Sequence, residues 1–180
     1  KDANTSGKNL GFGSVAWCKN VEIIFENNSY CPLVFTGGNT GYSYTDSSKI
    51  TAKDSKIDYL VGGGSNGRTR FVEMDVDNVT SAIFQTNNRG TVDEVKAVIS
   101  DSSIDNLFVF GDATDKTVTG TTNNVAIDIN KGTYSIKLGT QGGTEAADVT
   151  PVKFIKVSRS ANFAISDEDK ALLGDKFIIK

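Results

Sequence analysis

Val72-Glu73-Met74-Asp75-Val76-Asp77-Asn78-Val79-Thr80-Ser81-Ala82-Ile83-Phe84 decides how this chain is read. An alternating strand runs into a polar turn led by Asp, and a second apolar strand follows; glycines come next in most copies. The same phrase recurs in the same order. Copies begin at Val21, Lys49, Val72, Val95 and Val125, with turns at Asn27, Asp54, Asp77, Asp101 and Asn130. Aligning Tyr30, Ile57, Thr80, Ile104 and Tyr134 gives spacings of 27, 23, 24 and 30 residues. These lie within the roughly 20 to 50 residues of solenoid repeats. Hairpin sandwiches announce themselves by two-residue Asn-Gly or Asp-Gly loops between strands. Here Asn66-Gly67 and Gly111-Asp112 fall inside longer loops, so the repeated phrase predicts parallel stacking. The expected fold class is all-β, a parallel β-helix (β-solenoid) of about five to six rungs with terminal caps. Tyr30, Ile57, Thr80, Ile104 and Tyr134 would form one inward column, and Val34, Val61, Phe84 and Phe108 would contribute to another.

Composition fits that reading. The 180 residues include 18 Gly and 10 Phe but only 2 Pro, which suits strands and tight turns. A net charge of -3 argues against nonspecific nucleic-acid binding, whose affinity comes from cations displacing counterions along phosphates. No apolar run approaches the ~20 residues of a membrane-spanning helix. Beginning at Lys1 rather than Met, the chain reads as a mature or excised fragment. Histidine is absent, which removes the commonest general base and metal ligand. Cys18 and Cys31 read either as a disulfide in an oxidising compartment or as two buried thiols.

Residues 1–20 read as a leader or cap, 21–149 as the rungs, and 150–180 as a C-terminal cap or subunit-docking segment. Within the last, Val152–Val157 and Phe163–Ile165 could complete a sixth rung. Ser166-Asp167-Glu168-Asp169 reads as an N-cap with acids in the first turn of a short helix ending near Gly174, and Phe177–Ile179 reads as a final strand.

These residues resemble right-handed parallel β-helix proteins of the broad pectin-lyase-like superfamily, and more loosely the glycine-rich solenoids of phage fibres, spikes and bacterial surface proteins. The resemblance covers residues 21–165. It implies an extracellular or virion-surface location, adhesion, homotrimeric fibres or polysaccharide cleavage, and it transfers no catalytic residue. The reading it favours is a non-enzymatic structural and adhesive domain of an extracellular fibre, such as a phage fibre or spike, contacting a host surface glycan. A bacterial cell-surface adhesin and a polysaccharide-degrading enzyme on the same scaffold are the alternatives.

Each candidate site has a plain structural counterpart. Gly62, Gly64 and Gly67 match the spacing of a dinucleotide-binding loop, but that loop must open a helix, and Arg68–Met74 alternates like a strand. The Asp/Asn turn residues could line up as calcium ligands, or they could hydrogen-bond their own backbone and tolerate left-handed angles. No metal and no cofactor are assigned. Acids for glycan cleavage could be drawn from Glu22, Glu73, Asp75, Asp77, Asp101, Asp105 and Asp128, although alternation alone turns such residues to water. Asn39, Thr40, Tyr42 and Tyr44 are the carbohydrate-contact candidates, since rings stack on sugars while amides and hydroxyls take their hydrogen bonds.

Overall fold

A computed structural model describes residues 16–38 and 41–180. The chain winds through about six turns of a β-solenoid with a short terminal helix. The first rung is β1 (Ala16–Phe25) and β2 (Tyr30–Phe35); the second and third are single long strands, β3 (Ser43–Val61) and β4 (Arg68–Gln85). The fourth is β5 (Thr91–Ser100) with β6 (Ser102–Phe108), and the fifth is β7 (Thr121–Thr122), β8 (Val125–Ile129) and β9 (Gly132–Lys137). A small antiparallel hairpin, β10 (Thr140–Gln141) and β11 (Thr144–Glu145), precedes the sixth rung, β12 (Val152–Val157) and β13 (Ala161–Ala164). Helix α1 (Asp167–Leu173), a single 3-10 turn and β14 (Phe177–Ile179) complete the chain.

Every strand pairing between rungs is parallel among the described residues. Two sheet walls result. The first stacks β1, the leading half of β3, the leading half of β4, β5, β8, β12 and β14; the second stacks β2, the trailing halves of β3 and β4, β6, β9 and β13. Residues in left-handed conformation turn the chain between walls: Asn27 and Asn28 in the first rung, then Asp54, Asn78 and Asp101. Short polar side chains tolerate that conformation by bonding locally. In the fifth rung the left-handed position moves to Gly132, φ +121, where a Cβ would lie 2.1 Å from the Ser102 carbonyl oxygen.

On the third side glycine backbones approach one another closely, beside buried Thr36, Thr86, Asn87 and Thr122. Gly67 N donates to Gly38 O at 3.3 Å, Thr91 N to Gly67 O at 3.0 Å, and Thr121 N to Gly90 O at 3.1 Å. A Cβ on Gly90 would meet Gly67 O at 2.0 Å, so only glycine permits this approach. Gly62, Gly64 and Gly67 belong to this side, and strand β4 follows them directly. They are turn glycines, not a phosphate cradle.

Inside, like residues lie over like. Val21, Ser48, Val72, Val95, Val125 and Val152 form one column; Ile23, Ile50, Met74, Ala97, Ile127, Ile155 and Phe177 form the next. The second copy therefore starts at Ser48 and not at Lys49, whose side chain faces outward between Glu22 and Glu73. On the second wall the inward column is Cys31, Ile57, Ser81, Ile104, Tyr134 and Phe163. Tyr30 and Thr80 are each one residue out of it and exposed. A one-residue slip turns a side chain to the other face, so Thr80 faces out and Ser81 takes the inward place. Likewise Val34 stacks on Leu60, Phe84, Leu107 and Ile136, while Val61 and Phe108 share the adjacent column with Phe35, Gln85 and Lys137.

At the C-terminal end β13 pairs only with β9 and β14 only with β12. Ser166 caps α1 by accepting from Asp169 N at 3.0 Å, Gly174 ends it, and Leu173 is buried against the core. Phe163 and Phe177 meet with ring centroids 5.8 Å apart. In the first rung Ile23, Phe25 and Cys31 are only partly buried. Cys18 and Cys31 are free, one on each wall, Cys18 exposed and Cys31 partly so; neither a disulfide nor a pair of buried thiols describes them. Residues 1–15 of the proposed leader lie outside the described residues.

Candidate ligand-binding groove

Strict alternation along the first wall breaks at one place in each of the second to fifth rungs. In β3, Thr45 and Ser48 point inward while Asp46 and Ser47 between them both face out; Arg70-Phe71, Asp93-Glu94 and Asn123-Asn124 repeat this. Two successive outward residues put a corner in the chain, and in register these corners align along the axis. They line a shallow groove of about 480 Å³ walled by Asp46, Arg70, Phe71, Asp93, Glu94 and Asn124.

Ion pairs organise the groove. Arg68 reaches Asp93 in the next rung with two nitrogens, Nε at 3.1 Å and Nη2 at 2.9 Å. This fork geometry makes the contact directional, and it holds the guanidinium more firmly protonated than usual, first through the hydrogen bond and then through the charge of Asp93. Asn123 Nδ2 donates to the same carboxylate at 3.2 Å, and Asn124 Nδ2 donates to the Asp93 carbonyl at 3.1 Å. Arg70 pairs with Asp46 at 3.2 Å, and Lys153 with Glu94 at 3.4 Å. Phe71 is half-buried in the groove with Lys96 Nζ 5.4 Å from its ring centroid.

Of the four sequence candidates, Tyr44 adjoins this groove. It stands in register between Trp17 and Arg68, two residues along the strand from the Asp46–Arg70–Asp93 column. Trp17 is 67% exposed and sequence reasoning missed it, having assigned it to an apolar cap. Tyr42, 78% exposed, lies in the turn ahead of β3 and outside the groove lining. Asn39 and Thr40 lie outside the described residues. Phe71, Arg70 and Asp93 were also missed. The break in period two at residues 46–47, 70–71 and 93–94 was the available signal.

The other candidates lie away from this groove, and three of the acids, Asp75, Asp77 and Asp101, line a separate open depression with Lys53. In the turn column Asn78, not Asp77, is the left-handed residue, and its Nδ2 donates to Asp54 Oδ1 at 2.7 Å. An amide thus separates Asp54 from Asp101, which relieves the repulsion a run of carboxylates would suffer. No cluster of three or more potential metal-ligating side chains occurs among the described residues. Glu73 faces Lys49 at 3.2 Å, and Asp128 pairs with Lys180. Glu22, Lys49, Glu73 and Lys96 alternate in sign along one outward column.

The chain thus offers a groove with aromatic rings beside it and fixed polar groups within it, suited to holding a polar chain along the axis. No protein-family model, no curated protein and no solved structure matches it.

Proposed function

We propose that this is a non-enzymatic adhesive β-solenoid, displayed on an extracellular or virion-borne fibre and contacting a surface glycan through the corner groove. The reading rests on one observation: Trp17, Tyr44 and Phe71 lie beside carboxylates, amides and guanidinium groups already fixed in position. Sugar rings present an apolar face to aromatic side chains and hydroxyls to planar polar groups. Sites that need no reorganisation lose less entropy on binding. Ladder hydrogen bonds along the axis give the stiffness a spacer requires. Self-association into a trimer is part of this reading, following the resemblance to fibre solenoids.

Cleavage of the glycan is less well supported, because the groove's carboxylates are engaged by Arg68, Arg70 and Lys153. A hydrolase would need one of its two acids to carry a proton.

Glycan-array binding tests the reading. The unmodified chain should bind, and Phe71→Ala and Tyr44→Ala should each weaken binding by about tenfold, the equivalent of an aromatic contact worth roughly 1.4 kcal/mol. Tyr42→Ala should leave it unchanged. Binding that survives loss of both Phe71 and Tyr44 rings would move the site elsewhere.

A further inference from the structure

The solenoid ends in a step. On the second wall the last strand is β13, which pairs only with β9; on the first wall β14 pairs only with β12 and so stands one rung beyond β13. Helix α1 leaves this step open. Asp169 accepts from Leu138 N at 3.3 Å and Lys176 Nζ donates to the Val149 carbonyl at 2.6 Å, which holds the helix on the third side, beside the segment that precedes β12. Both free edges lack the charges and prolines that blunt an edge strand: β13 reads Ala161-Asn162-Phe163-Ala164 and β14 reads Phe177-Ile178-Ile179. Ile179 continues the inward column of Val76, Ile99, Ile129 and Val157, each 0% exposed, yet is itself 51% exposed. Ile178, 38% exposed, takes the outward place that Asp128 and Lys156 hold in the two rungs before it.

We infer that this step is the docking surface for a second copy of the chain, which meets it tail to tail about a two-fold axis. The inference rests on the fold and not on the adhesive reading. A two-fold axis perpendicular to the solenoid, passing through the turn between the walls, exchanges the walls, so the high side of one step meets the low side of the other. Each β14 then fills the place beside the β13 of the other copy. Ile179 and Ala161 both adjoin the turn, β14 running towards it and β13 away from it, so the new pairing is antiparallel. It sets Phe177 and Ile179 opposite Phe163 and Ala161 of the second copy, inward against inward, and Ile178 opposite Asn162 outside. Phe163 and Phe177, with centroids 5.8 Å apart within one copy, become four rings closing one continuous core. Because both copies use the same patch, the assembly stops at two. Head-to-tail stacking fits less well. The first rung, β1 with β2, ends level among the described residues, and seating it on β14 would leave one strand place empty beside β13.

Sedimentation equilibrium of the full chain tests this, over about 5 to 300 µM because a contact one rung in cross-section falls at the small end of stable interfaces, under ~1,200 Å². The chain should pass from monomer to dimer with no larger species. Ile179→Lys puts a charge at an inward edge position; it should weaken dimerisation by about tenfold or more and leave the melting temperature of the dilute monomer unchanged. Ile24→Lys, at a site 58% exposed on the first rung, should leave dimerisation intact. A double variant, Asn162→Cys with Ile178→Cys, should oxidise to a covalent dimer whose peptide map joins positions 162 and 178, which lie on different walls and cannot meet within one copy. That cross-link decides the matter if Ile179→Lys fails to fold. A chain monomeric at every concentration, self-association that Ile179→Lys leaves untouched or Ile24→Lys abolishes, or the absence of the 162–178 cross-link would overturn the inference.

Discussion

Tyr134 sits at the point where the inward column of the second wall meets the turn, and its hydroxyl ties that turn together. It donates to the Lys131 carbonyl and accepts from Ser102 N at 3.3 Å. Burial pushes its ionisation from 10.0 up to about 12. The raised value fixes the sign of the pH effect. The folded state holds the phenol proton more tightly than the unfolded chain, so this contribution is complete below pH 10 and is lost as pH rises towards 12. Urea unfolding followed from pH 9 to 12 should therefore show the parent losing roughly 2 kcal/mol more than Tyr134→Phe across that interval. At neutral pH the same variant should be less stable by about 1–2 kcal/mol, since it leaves two backbone groups without their partner. Ser48 is the opposite case. It occupies a fully buried place in a column of valines, and its hydroxyl has no partner. Ser48→Val should raise stability by about 0.5–2 kcal/mol, as read from the midpoint of urea unfolding. A loss of stability would mean the site cannot take the larger side chain.

Elements differ in how plainly the sequence announced them. Strand-turn-strand phrases, the helix behind Ser166 and the last strand were all legible, because alternation and capping are local signals. Register was not. Tyr30 for Cys31, Thr80 for Ser81 and Asp77 for Asn78 are each errors of one residue, made where the first rung inserts Asn28 or where small polar residues occupy inward positions. The groove stayed hidden because it forms from residues one repeat apart, and only its break in alternation shows within a single strand. The glycine side was visible as composition but not as architecture. Its requirement can be measured: Gly90→Ala should cost about 1–3 kcal/mol by forcing two rungs apart, since the new methyl would lie 2.0 Å from Gly67 O. Gly41→Ala, with nothing within 4 Å of its new methyl, should unfold at the parent's temperature. Equal effects at the two positions would contradict close backbone packing on the third side.

The whole molecule is a stack with unlike ends. Middle rungs are paired on both sides, whereas β13 and β14 at the C-terminal end pair on one side only and α1 sets Leu173 against the core. The first rung, among the described residues, is paired only with β3. Stability in such arrays is close to a sum of each rung and its neighbour interfaces, so amide exchange should be slowest in β4, β5 and β8 and fastest in β1 and β2. Uniform protection from end to end would show that the molecule opens only as one unit. The parallel register itself is tested most directly by proton–proton contacts in the NMR spectrum of the isotopically labelled chain. Stacked rungs predict backbone contacts joining Ile50 to Met74 and Met74 to Ala97. Contacts joining Val61 to Arg68 and Tyr59 to Arg70 would instead make β3 and β4 an antiparallel hairpin and contradict the solenoid.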